Sequence, residues 1–562
     1  MPAGEPLRRS ELLSLTALAA ATLALRVAFV FRQPFNSDEP QHLHVAWGWS
    51  RGLIQYRDLF DNHTPIFHML SAPLVAVVGE RPEILSIMRL AMIPLYLATL
   101  WGAFALATAL FDRRTGLWAT ALLAIHPTFF RESLEYRADD LWMTFWVLAL
   151  LALVGGDWSG RRAFSGGLLL GACLGTSLKT TLLLGSLGAA ALLVPFVAGV
   201  SWRAQAPWGT AESDPAPRRV ASSLPALLGG MAIVPSGIVL LFTSLGAFAP
   251  FLHGTVLHNL LPGLGRWSRP GRGFLVLPAL LVVLAAVSAL VRLAPPAVDR
   301  RRLALIALTA GIYLAALQIL WPLFTRQDLL PFLPLLFVAL AGLLQIVRRR
   351  PALGFTPLLA AAALEIGLLV KGAPPRRAGP APETRLLEEV LRLTDPRDEI
   401  LDAKGEAVFR RRPIYEVMES ITQARLQRGD LKEEIPEAMI ERGVFVATTD
   451  VGRFPERTRL FLEENFLPVG RLRVAGRFLP PGSGDPGGAI VFEVVIPARY
   501  AIVAADGAVA GRLDGAPYGG PIVLSAGRHL FVPAAATGRL ALIWAQAIER
   551  GFSPFTTGDR LS

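Results

Sequence analysis

A single cysteine, Cys173, occurs in 562 residues. That excludes an intramolecular disulfide and any metal centre built on several cysteines. Cys173 sits in an apolar run, where packing as a small buried residue is expected. Lysine is scarce as well: Lys179, Lys371, Lys404 and Lys432 are the only four, and no function follows from the scarcity itself. No HExxH or similar metal signature is present, so no cofactor and no required metal are expected. A divalent ion is the disfavoured alternative, resting on histidines and carboxylates such as Asp38 and His42, whose i, i+4 spacing shares a helical face. No internal repeat and no long low-complexity tract is evident. The formal charge of +11 would point to nucleic acid in a soluble chain. Here the excess arginine flanks apolar segments, so no nucleic-acid partner is expected.

What is abundant is apolar sequence, 53% of the residues. Runs of about 20 apolar residues, long enough to cross a bilayer, recur between positions 12 and 370. The candidate spans are 12–31, 85–111, 116–130, 141–154, 164–177, 181–197, 224–245, 274–291, 303–321, 329–347 and 352–370. About eleven transmembrane helices are therefore expected. Arg8 and Arg9 before the first run also fit a signal peptide, but its length and the polar residues after it favour an uncleaved span. With eleven spans, Arg8-Arg9, Arg113-Arg114, Arg161-Arg162, Arg203 with Arg218-Arg219, Arg300–Arg302 and Arg348–Arg350 all fall on one side, which the positive-inside rule makes cytoplasmic. A multi-pass protein of the cytoplasmic (inner) cell membrane follows, with its N-terminus inside and its C-terminal region outside. A Pro-, Gly- and Arg-rich linker at 371–382 closes the membrane domain, 10–371. Beyond it, helical and strand patterns predict an extracytoplasmic α/β domain at 383–470, and short strands predict a small β-rich, sandwich-like domain at 488–562. The fold class is thus an α-helical polytopic membrane protein carrying an extracytoplasmic α/β plus β region.

Polar chemistry gathers on the outer side. All eight histidines map there: 42, 44, 63, 68, 126, 253 and 258 in the membrane domain, and His529 beyond it. Asp38 and Glu39 lie just past the first span, where acidic groups are costly unless they face water, substrate or a partner. On a helix they point about 100° apart, so one would face substrate while the other orients a neighbour. Helix capping by Asn36, Ser37 and Asp38 ahead of Pro40 explains them equally well. The same loop holds Tyr56, Arg57, Asp58 and His63. A second acidic pair, Asp139 and Asp140, follows Arg137 at the mouth of another span, and dipole complementation is its bland explanation. Lys179 turns between two short spans; it either snorkels or binds an anion. Arg137, Lys179, Arg266, Arg269 and Arg326 are cations on the side the charge rule disfavours, and a phosphate-bearing lipid would account for them.

The order of these motifs resembles a known family. An acidic pair follows the first span, then Tyr56-Arg57-Asp58-x-Phe60-x4-Pro65. Arg137-x-Asp139 precedes a later span, Lys179 sits in a Gly-rich hairpin, and Arg326-Gln327-Asp328 opens a late helix. This resembles the GT-C glycosyltransferases of the dolichyl-phosphate-mannose protein mannosyltransferase and aminoarabinose transferase (ArnT-like) type, over residues 10–370. The resemblance implies the GT-C fold and a polyprenyl-phosphate-linked sugar donor used outside the cytoplasm. It implies Asp38 as general base, Glu39 as its acidic companion and Asp139 as the second-loop aspartate, with Asp140 a close competitor. Arg326-Gln327 departs from the family's common Arg-Tyr. The acceptor would be a hydroxyl of a lipid, glycan or protein, with membrane lipids around it. The polyprenyl phosphate leaves as a stable anion, so one base and cationic stabilisation suffice for an inverting single displacement. Two other functions compete: a flippase or transporter of lipid-linked sugar, and a membrane sensor with a ligand-binding C-terminal domain. The one-sided polar cluster and the lack of an inverted repeat disfavour the transporter.

Overall fold

The computed structural model describes residues 7–156, 158–199, 216–268, 271–348, 356–372, 381–480, 488–505, 509–534 and 538–555. Arg203, Arg269, Arg349, Arg350 and most of the 371–382 linker lie outside them. Where three domains were expected, the chain clusters into two compact units. One comprises Met1–Pro34, Asp61–Ser71 and Ser86–Arg377; the other comprises Phe35–Phe60, Ala72–Leu85 and Ala378–Ser562.

The first unit is helical. Six helices among the described residues are long and apolar enough to cross a membrane: Arg9–Arg32, Ile84–Leu110, Thr180–Ala198, Ser223–Ser244, Arg272–Leu293 and Arg300–Ile319. Shorter apolar helices occur at Ile66–Val78, Phe248–Leu257 and Leu333–Gln345. The protein is thus a multi-pass membrane protein. The expected span 116–130 is broken: helix Arg113–Ile125 ends at His126, and Pro127 starts a separate turn, Pro127–Glu132. Pro127 lacks the N–H that a continuous helix would need there.

Several arginine pairs mark helix starts with built caps. Asp112 accepts from the Thr115 amide at 2.7 Å, and Asp299 accepts from Arg301 and Arg302 amides at 3.0 and 3.3 Å. Small residues set the closest helix pairing, that of Gly160–Thr176 with Ala216–Ser244. A Cβ on Gly167 would fall 2.0 Å from the Leu227 carbonyl oxygen, and one on Gly230 would fall 2.3 Å from that of Phe164. Backbones that approach this closely leave room for glycine alone, the usual device of membrane helix pairs. Two of the charges inside the bundle are closely partnered. Glu11 accepts from Arg114 Nε at 2.6 Å and Trp118 Nε1 at 2.7 Å, while Arg26 stacks on Tyr96 and donates to the Phe130 and Ser133 carbonyls.

Among the described residues the second unit holds eleven strands: β1 (Ile400–Leu401), β2 (Val446–Thr448), β3 (Phe466–Val469), β4 (Leu472–Phe478), β5 (Ile490–Val494), β6 (Ala498–Ala504), β7 (Gly511–Leu513), β8 (Ala516–Tyr518), β9 (Ile522–Leu524), β10 (Gly527–Pro533) and β11 (Leu540–Trp544). A seven-stranded sheet runs β1-β2-β4-β11-β6-β9, with β3 also on β4, and a four-stranded sheet runs β5-β10-β7-β8. Only β1–β2 is parallel; β5 alternates buried Ile490, Phe492 and Val494 with outward Val491 and Glu493. The expected α/β and β-rich domains share this large sheet, because β4 pairs with β2 on one side and β11 on the other. They also share one core, in which Val390, Ile400, Val446, Leu472, Phe492, Phe531 and Ile543 are buried together.

The segments Phe35–Phe60 and Ala72–Leu85 belong to this unit although they precede it by hundreds of residues. Helix Asp38–Ser50 is buried from Glu39 to Gly48. His44 Nδ1 lies 2.7 Å from the Val408 carbonyl oxygen, Glu80 pairs with Arg410 at 3.0 Å, and the Tyr415 hydroxyl donates to the Tyr56 carbonyl.

Candidate active site

The residues singled out from the sequence fall into two groups, one in each unit. In the second unit, Asp38 opens helix Asp38–Ser50, and the capping explanation can be examined directly. Ser37 is the N-cap residue and makes no side-chain cap. Glu39, fully buried, reaches back to accept from the Asn36 amide at 2.8 Å, while the Asn36 side chain accepts from the Asp38 amide at 3.1 Å. The turn is therefore closed by Asn36 and Glu39. The Asp38 carboxylate pairs instead with the Lys404 ammonium, and 23% of its side chain stays accessible. Lys404 Nζ also lies 3.5 Å from Ser37 Oγ.

Tyr56, Arg57 and Asp58 build a turn. Tyr56 has a left-handed backbone (φ 70°) and is buried. Asp58 accepts from the Ile54 amide at 2.8 Å and from Arg57 Nε at 3.0 Å. The Arg57 hydrogen bond holds the Asp58 carboxyl below its ordinary range against the opposing effect of burial. These three residues shape the loop rather than present free charge.

The loop that carries Lys404 is itself tightly made. The Asp402 carboxylate accepts from the Gly405 and Ala407 amides at 2.8 and 2.9 Å, and Glu406 accepts from the Lys404 amide at 2.7 Å. Burial, followed by the neighbouring Asp402, pushes the Glu406 carboxyl up to about 7. Burial likewise drives the His44 imidazole down to about 3, aided by Arg412, so His44 is a neutral ring whose Nδ1–H donates to the Val408 carbonyl.

In the first unit, Arg137 Nε donates to Asp139 Oδ2 at 3.0 Å, and Lys179 Nζ lies 3.6 Å from Asp139 Oδ1. Lys179 also pairs with Asp328, which the sequence reading did not single out. Asp328 is fully buried and accepts from the Thr325 amide at 2.8 Å, closing a capping box. The lysine is thus neither snorkelling nor bare; it bridges two carboxylates. Asp140 is buried beside it in sequence, and neither of its carboxylate oxygens has a hydrogen bond among the described residues. Gln327 donates to Glu132 at 2.7 Å and Glu135 at 2.9 Å, so it occupies a defined polar station. His63 Nδ1 sits 2.8 Å from the buried Asp61, whose other oxygen is 3.4 Å from His68.

Two expected cations differ from one another. Arg266 donates to the Leu317 and Gln318 carbonyls at 3.2 and 2.9 Å and lies over Phe324, which satisfies a helix C-terminus. Arg326 is exposed and makes no hydrogen bond or ion pair among the described residues. No group of three or more His, Cys, Asp or Glu side chains among them is arranged to hold a metal ion.

The residues that sequence reasoning missed are Lys404 and Asp328. Lys404 carried no local motif, since its partner is 366 positions away. Asp328 was visible inside the Arg326-Gln327-Asp328 motif, where attention fell on the arginine.

Two kinds of likeness bear on this arrangement. Residues 62–211 match the family model described as dolichyl-phosphate-mannose-protein mannosyltransferase. The fold matches the apo crystal structure of ArnT from Cupriavidus metallidurans, at 14% identity over 82% of this chain and 97% of that one, with a TM-score of 0.53. It also matches the same organism's ArnT bound to undecaprenyl phosphate, at 12% identity over 82% and 97%, with a TM-score of 0.54. No curated protein sequence matches the chain. The fold is thus that of the ArnT structures, and the matched segment is similar to the protein mannosyltransferases, the kind that the motif order resembles.

Proposed function

We propose that the protein transfers a sugar from a polyprenyl-phosphate donor to an acceptor hydroxyl on the extracytoplasmic face. The observation that carries this reading is the Asp38 carboxylate. It is released from capping by Asn36 and Glu39, partly accessible, and held by an ammonium group. In the proposed reaction Asp38 takes the acceptor hydroxyl proton as the acceptor oxygen bonds to the anomeric carbon. The anomeric carbon–oxygen bond to phosphate breaks, and its electron pair leaves on the polyprenyl phosphate. One displacement inverts the anomeric configuration and needs a single carboxylate, unlike a retaining glycosidase. A phosphate departs with its charge exposed, so cations lower the barrier. Within the first unit, Arg137 and Lys179 hold the Asp139 carboxylate.

Undecaprenyl phosphate bound to the related ArnT supports a lipid phosphate as the leaving group. Eleven crossings are read by adding Arg113–Ile125, Ala138–Val154, Gly160–Thr176, Leu333–Arg348 and Thr356–Lys371 to the six long helices. The arginines at the capped helix starts support a cytoplasmic N-terminus and an external C-terminal region.

The test uses full-length protein in nanodiscs, a panel of undecaprenyl-phosphate-linked sugars and a native membrane extract as acceptor source. Release of undecaprenyl phosphate is the readout. Asp38→Asn is expected to lose roughly a hundred- to ten-thousand-fold in turnover while folding normally. Near wild-type release by the folded Asn variant would refute the base assignment.

A further inference from the structure

We propose that Lys404, a residue of the C-terminal region, is a positioning residue of the transfer site that fixes the Asp38 carboxylate for its work as base. The proposal rests on the reading of Asp38 given above. The bland alternative is that the pair merely docks the C-terminal loop onto helix Asp38–Ser50. The geometry argues against it, because other contacts besides the lysine hold that docking. Gly405 has φ +89°, and a Cβ there would meet Gln41 Cα and His44 Cβ, both at 3.1 Å. Backbone and helix are therefore already in contact one residue past Lys404. His44 engages the Val408 carbonyl at 2.7 Å, and Arg410 engages both Glu80 at 3.0 Å and Thr394 at 2.9 Å. Asp402 and Glu406 tie the turn itself through three backbone amides. The platform is thus held by several contacts besides Lys404, whose side chain, 9% exposed, crosses to the Asp38 carboxylate and lies 3.5 Å from Ser37 Oγ.

Two physical consequences follow. The carboxylate gains a defined rotamer, since an ammonium ion on one oxygen fixes the orientation of the group. The charge balance also changes. Asp38 and Glu39 are adjacent acids, and an anionic phosphate donor would be repelled by them; one buried cation offsets one of those charges. Lys404 thus makes the C-terminal region part of the reaction rather than an appendage to it.

Lys404→Met keeps the length of the stem and removes the charge, Lys404→Gln keeps a hydrogen bond, and Lys404→Arg keeps the charge. Each is measured in full-length protein in nanodiscs, with whichever undecaprenyl-phosphate-linked sugar the wild type turns over. The expected result is a fall in kcat of about a hundredfold for Met and Gln, a smaller rise in KM for the donor from the lost counter-charge, and recovery to within about tenfold by Arg. Wild-type kcat in folded Met or Gln protein overturns the proposal. So does a loss confined to folded yield, with normal kcat per folded molecule, or failure of both neutral variants to fold while Arg folds. Either result assigns the lysine to docking. The two readings separate cleanly: an active Asp38→Asn removes the base assignment itself, whereas an inactive Asp38→Asn beside a fully active Lys404→Met removes only the role of the lysine.

Discussion

Replacing Lys179 by methionine would leave Asp328 as an uncompensated charge with no exposed surface. Breaking a fully buried ion pair by removing one partner costs about 3–5 kcal/mol. The lysine side chain is 24% exposed, so water already shares part of its charge and the cost falls below that range, to about 2–3 kcal/mol. Asp139 suffers less, because Arg137 remains 3.0 Å away. Asp328→Asn removes the charge but keeps an oxygen for the Thr325 amide, which now donates to Asp328 at 2.8 Å. The double variant Lys179→Met/Asp328→Asn should therefore be more stable than Lys179→Met alone, with a coupling of about 2 kcal/mol. Mixed-micelle denaturant titrations followed by tryptophan fluorescence would measure it. Strictly additive single effects, within about 0.5 kcal/mol, would refute the reasoning. The same four proteins address donor recognition. If turnover returns with stability in the double variant, Lys179 acts through its carboxylates. If stability returns and turnover does not, its charge meets the donor phosphate.

The remaining expectations are structural. Reporter fusions after Arg114 and after Gly372 should read cytoplasmic and extracytoplasmic respectively, and the reverse pattern would overturn the orientation. Gly167→Ala places a methyl 2.0 Å from the Leu227 carbonyl, so the two helices must part and folded yield in detergent should fall sharply; unchanged yield and thermal midpoint would contradict the close packing.

How much of this was legible beforehand follows from the range of each interaction. Apolar runs and arginine pairs are local signals, and the helices Thr180–Ala198 and Arg300–Ile319 lie within a few residues of their expected positions. The acidic pair Asp38-Glu39 was legible as a pair, but its division of labour was not. Whether Glu39 or Asp38 turns inward depends on Asn36 and on a lysine far along the chain. Helix Ile66–Val78 was not among the expected spans; Pro65 precedes it and Pro73 lies within it, which an apolar helix tolerates. The expected boundary between 470 and 488 failed to part the large sheet. A gap in local pattern says nothing about whether β4 will pair with a strand 70 positions later, as it does with β11.

The contact between Lys404 and Asp38 also sets a timetable for the nascent chain. Helix Asp38–Ser50 is made early, whereas the residues it meets, Lys404, Gly405 and Val408, are made after the last membrane helix. Closing a loop of 366 residues carries an entropic cost near 5 kcal/mol plus a constant. That cost is met only when the second unit forms its core around the helix. A chain released before residue 402 would hold the acidic pair without its counter-ion. On the proposed reading, full competence for transfer would then arrive only with synthesis of the final third of the protein.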